Sequence, residues 1–148
     1  MKDVIEHKFK FHEDDRGQRF QDVYGDNMPG SQINVTFINS TKHIVAWHKH
    51  NIQTDYWTVL KGSLKVGLAT KEDGCEFEYL SDKNPRVLEI KPGVYHGYKA
   101  LEPGTILCYY LTEKYNPDDE IRAAVGDFNE DWSTPNKWLK IGTVRGEE

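Results

Sequence analysis

The sequence predicts an all-β protein of one domain, residues 1–148, folded as a jelly-roll β-barrel with one short helix near its C-terminus. Its 148 residues suit a single domain with a core of its own. Short runs of alternating or apolar residues recur along it, each closed off by Gly, Pro, Asn or Asp. No fixed-period repeat, low-complexity tract or Pro/Gly/Ser linker divides the chain.

The elements follow in order. Gln32–Ile38 alternates polar and apolar side chains, the period of a half-buried strand, and residues 44–50 do the same. Residues 56–60 and 63–69 flank Lys61-Gly62, a tight hairpin signal. Residues 76–80, Arg86–Ile90, 97–101 and 105–112 complete a set of about eight strands, the pattern of a sandwich or jelly roll. Residues 118–125 carry Asp118 and Asp119 at their start and read as the helix. Residues 143–148 read as a frayed or partner-docked tail.

Composition excludes several classes of function. A net charge of -5 argues against a nucleic-acid footprint, which needs an excess of Lys and Arg. Cys75 and Cys108 stand far apart without a CxxC pattern, as expected of ordinary thiols in a reducing cytoplasm. Residues 1–10 have no apolar stretch of a signal peptide, and no run of roughly 18 apolar residues could span a membrane. A cytoplasmic protein is expected.

The chemistry concentrates in two blocks. On a strand, His48 and His50 share a face. Asp55 follows after four residues and Gly62 after six more. Further on, Pro92-Gly93 precedes His96. This spacing resembles the paired motifs of the cupins: His-x-His, an acidic residue and Gly, then Pro-x-Gly-x-x-His. Asp stands here for the usual Glu, and the Pro falls one place later. In metal-binding cupins these side chains hold one divalent ion, so His48, His50, Asp55 and His96 form a candidate ligand set. They could equally line a polar pocket that holds no ion.

A second resemblance runs from about residue 11 to residue 132. Asp14-Asp15-Arg16-Gly17 before Phe20, Gln32-Ile33-Asn34, His48 after Val45-Ala46-Trp47, and His96-Gly97-Tyr98 (the family has His-Gly-Phe) stand in order. Tyr109 and then Tyr115-Asn116-Pro117-Asp118-Asp119-Glu120 follow. Together they resemble the dTDP-4-dehydrorhamnose 3,5-epimerases and related nucleotide-sugar epimerases. The resemblance implies proton transfer beside the ketone of a dTDP-linked 4-keto-6-deoxyhexose, without metal or cofactor, in deoxysugar and polysaccharide biosynthesis. It implies His48 as general base and Tyr109 as the acid on the opposite face. It implies Arg16, Gln32 and Asn34 as the grip on the nucleotide diphosphate and base, and His96 as a second pocket histidine; His50, Gln53 and Asp55, from the His-x-His block, are expected as further substrate contacts. A homodimer is implied too, because the arm carrying Arg16 reaches in the family toward the neighbouring subunit. The chain is also similar to the sugar 3,4-ketoisomerases, which move a carbonyl by the same enediol logic.

Three departures stand out. Val45 occupies the place of a family Arg, and Asp55 that of a family Lys that should stabilise an enolate. Lys49 and Lys65 are the nearest alternative cations. The late aspartate that orients the base His is not found after Trp132, leaving Asp55, Asp127 or Asp131 to substitute. A non-catalytic sugar-binding module is therefore a third expectation, beside the isomerase and the metal-dependent cupin. His7, His12 and His43 carry no motif and read as surface residues.

Overall fold

The computed structural model describes residues 1–134, so the expected tail at 143–148 lies outside the described residues. The strands are β1 (Val4–Lys8), β2 (Lys10–Asp14), β3 (Gly17–Gln21), β4 (Gln32–Ile38), β5 (Val45–Lys49), β6 (Asp55–Lys61), β7 (Ser63–Thr70), β8 (Gly74–Ser81), β9 (Arg86–Ile90), β10 (Tyr95–Ala100), β11 (Thr105–Leu111) and β12 (Ile121–Arg122). One sheet has the order β1-β9-β6-β11-β4 and the other β12-β5-β10-β7-β8. Strands β2 and β3 form a separate hairpin. All the pairings are antiparallel.

Every strand expected from the alternation is present. The Lys61-Gly62 turn joins β6 to β7, with Gly62 at φ +87°, where a Cβ would also collide with Thr105. Strands β1 to β3 were not expected. Their sequences, VIEHK, KFHED and GQRFQ, mix polar or charged residues onto both faces, so no apolar alternation marks them. They form because β1 pairs with β9 and because β2 and β3 pair with each other.

The helix expected over 118–125 is reduced to one 3₁₀ turn, Pro117–Asp119, followed by β12. Tertiary contacts override the local signal. The Asp119 carboxylate accepts hydrogen bonds from the backbone N–H groups of Asn51, Ile52 and Gln53, Glu120 turns to His48, and Ile121 and Arg122 pair with β5. A helix would break all three connections.

The core between the sheets is built from Val59, Leu64, Val66, Leu68, Leu88 and Leu107, each 1% exposed or less. A second cluster covers the outer face of the β5-β10-β7-β8 sheet, where Trp47 packs against Phe128 and Trp132. Lys65 Nζ donates to the carbonyls of Asp131 and Ser133, and Lys99 Nζ to that of Trp132, so two lysines strap this last segment to the barrel. No helix among the described residues is long and apolar enough to cross a membrane.

Candidate active site

A cavity of about 250 Å³ opens between the sheets at the end of the barrel where β5, β6, β10 and β11 carry their polar residues. Of the residues singled out in the sequence, Gln32, Asn34, His48, His50, Gln53, Asp55, His96 and Tyr109 line it. Strand alternation brings them there: His48 and His96 face each other across β5 and β10, and Tyr109 sits opposite Asn34 and Trp57. Tyr110, one residue on, turns to the outside against Tyr24 and Tyr56.

His48 Nδ1 lies 2.7 Å from Glu120 Oε1. A carboxylate there fixes Nδ1 as the protonated nitrogen and leaves Nε2 free to take a proton. Burial pushes the Glu120 carboxyl up, but hydrogen bonds from Arg122 and His48 outweigh it and hold the group below its usual range. The orienting carboxylate is therefore Glu120, not Asp55, Asp127 or Asp131. Asp127 accepts from the Ala124 N–H, Asp131 from the Ser133 N–H, and Asp55 is engaged elsewhere. The signal lies in the Tyr115-Asn116-Pro117-Asp118-Asp119-Glu120 segment, whose last residue is this carboxylate.

The floor of the cavity is made of acceptors. His50 Nδ1 donates to the Asp119 carbonyl at 2.7 Å and His96 Nδ1 to the Val94 carbonyl at 3.1 Å. A carbonyl can only accept, so both rings carry their proton on Nδ1 and present the Nε2 lone pair inward. His50 Nε2 is 3.9 Å from one Asp55 oxygen and His96 Nε2 is 3.6 Å from the other. Asp55 accepts from Gln53 Nε2 at 2.7 Å and from Trp57 Nε1 at 3.0 Å. Burial outweighs the pull of the Asp55 carboxylate and holds the His96 imidazole below its usual range.

These three residues could hold a metal, since one ligand atom from each of His50, Asp55 and His96 lies within 4.8 Å of the others. Two imidazoles and a carboxylate suit a divalent transition ion. His48, the fourth residue of the expected set, does not join them and is held instead by Glu120.

Two expectations fall outside the cavity. Arg16 is exposed at the turn of the β2–β3 hairpin, with its guanidinium against Asp14, whose carboxyl it helps to hold down to about 2. Lys49 and Lys65 turn to the outer face, over the rings of Tyr95 and Phe77. Among the described residues, none that lines the cavity is Lys or Arg. The sequence reading missed Tyr115, Asn116, Trp57 and Tyr98 as parts of the wall.

No protein-family model matches the chain. Over 104 residues it is 36% identical to the spore coat polysaccharide biosynthesis protein SpsL of Bacillus subtilis, a match that spans 62% of this chain and 68% of SpsL. Among solved structures, NovW, a 4-keto-6-deoxy sugar epimerase of Streptomyces spheroides, superposes with a TM-score of 0.79 at 22% identity, over 90% of this chain and 76% of NovW. A double mutant of the 3,4-ketoisomerase QdtA of Thermoanaerobacterium thermosaccharolyticum, in complex with TDP, gives 0.75 at 24% identity, over 83% and 89% of the two chains. The dTDP-4-dehydrorhamnose 3,5-epimerase of Bacillus anthracis, with TDP and PPi bound, gives 0.73 at 23% identity, over 86% and 82%. The jelly-roll fold is thus the one these sugar epimerases and isomerases share, and the chain itself belongs to the family of the spore coat polysaccharide biosynthesis protein SpsL.

Proposed function

We propose that the protein is an isomerase of a dTDP-linked 4-keto-6-deoxyhexose, acting in the cytoplasm on the way to a surface polysaccharide and needing no metal. The observation that carries this reading is the His48–Glu120 pair on one sheet and Tyr109 on the other, both lining one cavity. A hydrogen on a carbon beside a ketone is acidic enough for a positioned base to remove. His48 Nε2 takes that proton, the C–H electrons pass into an enolate, and Tyr109 returns a proton from the opposite face. Glu120 stabilises the imidazolium in between. The cavity is smaller than the roughly 300–1,000 Å³ of most small-molecule sites. It suits the sugar ring, with Gln32, Asn34, Tyr115 and Asn116 left to meet the nucleotide.

The diphosphate needs a cation that the described lining of one chain does not supply. A homodimer would supply it through Arg16 on the exposed hairpin of a second copy. The outward stripe Ile33, Val35 and Phe37 on the edge strand β4, with Phe37 69% exposed, favours such a partner. A monomeric mass in solution contradicts the dimer.

The test is proton NMR of the protein with dTDP-4-keto-6-deoxyglucose in deuterated buffer. Loss of the signal from a hydrogen beside the ketone is expected. His48→Ala and Tyr109→Phe should abolish it, and normal exchange in both variants refutes the roles given to these residues.

One observation favours a second reading. The inward nitrogens of His50 and His96 lie 3.9 and 3.6 Å from the Asp55 oxygens with no proton between them, an arrangement that a divalent ion would satisfy as well as a sugar hydroxyl. In that reading the ion would polarise the ketone oxygen. Metal analysis of protein purified without a histidine tag separates the two, and a preparation almost free of metal counts against the ion.

A further inference from the structure

The proposed reaction places negative charge on the ketone oxygen, and the described cavity wall holds no lysine or arginine to receive it. Its floor is worse than neutral, because Asp55 is a carboxylate and the inward nitrogens of His50 and His96 are acceptors. A donor must come from the remaining wall. Gln53 spends its amide on Asp55 and His50, while Gln32, whose Nε2 donates to Asn34 Oδ1, and Asn34 itself are assigned above to the nucleotide. Of the three phenols in the wall, Tyr115 is 72% exposed, which leaves Tyr109 and Tyr98 inside, and neither hydroxyl bonds to another described residue.

Resting on the enolising reading above, we infer that Tyr98 is a further catalytic residue, the hydrogen-bond donor to the enolate oxygen. Tyr98 stands on the inward face of β10, two residues beyond His96 and paired with Val45 of β5. Its ring meets the edge of Trp57 at 5.9 Å between centroids, and the Tyr109 ring lies 6.3 Å from the same indole. One rigid indole, anchored by its N–H on Asp55, therefore spaces both phenols. Burial and the neighbouring Tyr109 push the Tyr98 hydroxyl above its usual range, which keeps it protonated and able to donate.

The two phenols divide the work. As His48 removes the carbon-bound proton, the carbonyl π electrons move onto oxygen, and Tyr98 holds that oxygen through its O–H without giving up the proton. Tyr109 then protonates the carbon and the oxygen electrons return to the C=O bond; the sugar gains and loses no charge, and water resets the enzyme by taking the proton from the His48 imidazolium and giving one to the Tyr109 phenolate. Neutral donors aimed at a developing oxyanion in a dry site can replace a fixed cation.

Tyr98→Phe removes the hydroxyl and keeps the ring against Trp57. Its solvent-deuterium exchange with dTDP-4-keto-6-deoxyglucose should fall about 100-fold or more, while TDP binding and the melting temperature stay at wild-type values. Placing 3-fluorotyrosine at position 98 keeps the packing and makes the phenol more acidic, so the exchange rate should change with it. If the wild type exchanges and both variants exchange within about twofold of it, the role of Tyr98 is overturned and the enolising reading stands. If the wild type itself does not exchange while binding TDP, that reading falls and the inference falls with it.

Discussion

The two ends of the barrel are built from the same strands and have opposite chemistry. Along β10 the inward residues run His96, Tyr98, Ala100, and along β6 they run Asp55, Trp57, Val59. On β11, Tyr109 lies beside Trp57 while Leu107 lies beside Val59. Two residues of strand thus separate a polar cavity from a sealed apolar plug, because alternate side chains enter the barrel about 6.6 Å apart. The plug of Leu64, Val66, Leu80 and Ala100 is at most 1% exposed. It seals the end opposite the cluster of His50, Asp55 and His96 and the phenols of Tyr98 and Tyr109. Stability belongs to one end and chemistry to the other.

The largest expected effect tests that division at the plug. Leu64→Ala should cost about 3 kcal/mol of unfolding free energy, the transfer loss plus the cavity left behind. Deuterium exchange per folded molecule should stay near the wild-type rate, since Leu64 does not line the cavity. Denaturant melts and NMR exchange on the same preparation check it. A variant that stays folded but loses exchange shows that the two ends are coupled.

The complementary change is Glu120→Ala at the open end. Losing the carboxylate behind His48 frees the imidazole tautomer and should reduce the exchange rate about 100-fold, or ~2.7 kcal/mol in the barrier. The effect should appear in kcat with TDP affinity unchanged, because Glu120 acts through His48 and not on the ligand. An equal loss of TDP affinity would make Glu120 a binding residue instead.

The closed end was more legible in the sequence than the open one. Alternation in Gln32–Ile38 and the Lys61-Gly62 turn follow directly from pleat and turn geometry, and both strand and hairpin are present. His48 and His50 were legible because period two places them on one face, and His96 because it follows the Pro92-Gly93 turn at the spacing of the second motif. The Glu120–His48 contact spans 72 residues and two elements, and no local pattern encodes such a pair. The misread helix has the same cause: 118–125 looks helical in isolation, and Asp119, Glu120 and β12 are each drawn into a long-range contact. Tyr98 stands at the family's aromatic position, and the value of its hydroxyl shows only in the packed cavity, where no Lys or Arg among the described residues lines the wall.

The smallest expected effect is a pH dependence that comes from the open end alone. His96 is buried and held neutral, its folded pKa depressed first by desolvation, against the opposing pull of Asp55. The unfolded chain binds a proton there near pH 6.5 that the folded protein refuses. Stability is thus fully present above about pH 6.5 and is lost as the pH falls through that value toward the folded pKa. The depressed carboxyls of Asp119 and Glu120 add their own loss only at lower pH, below about 4.5. Thermal melts at pH 7.5 and 5.5 should therefore show a drop in Tm for the wild type and a smaller one for His96→Gln, which cannot titrate. His48, His50 and Asp55 face the same cavity, and an equal drop in both proteins would leave the His96 side chain without its part in the acid limb.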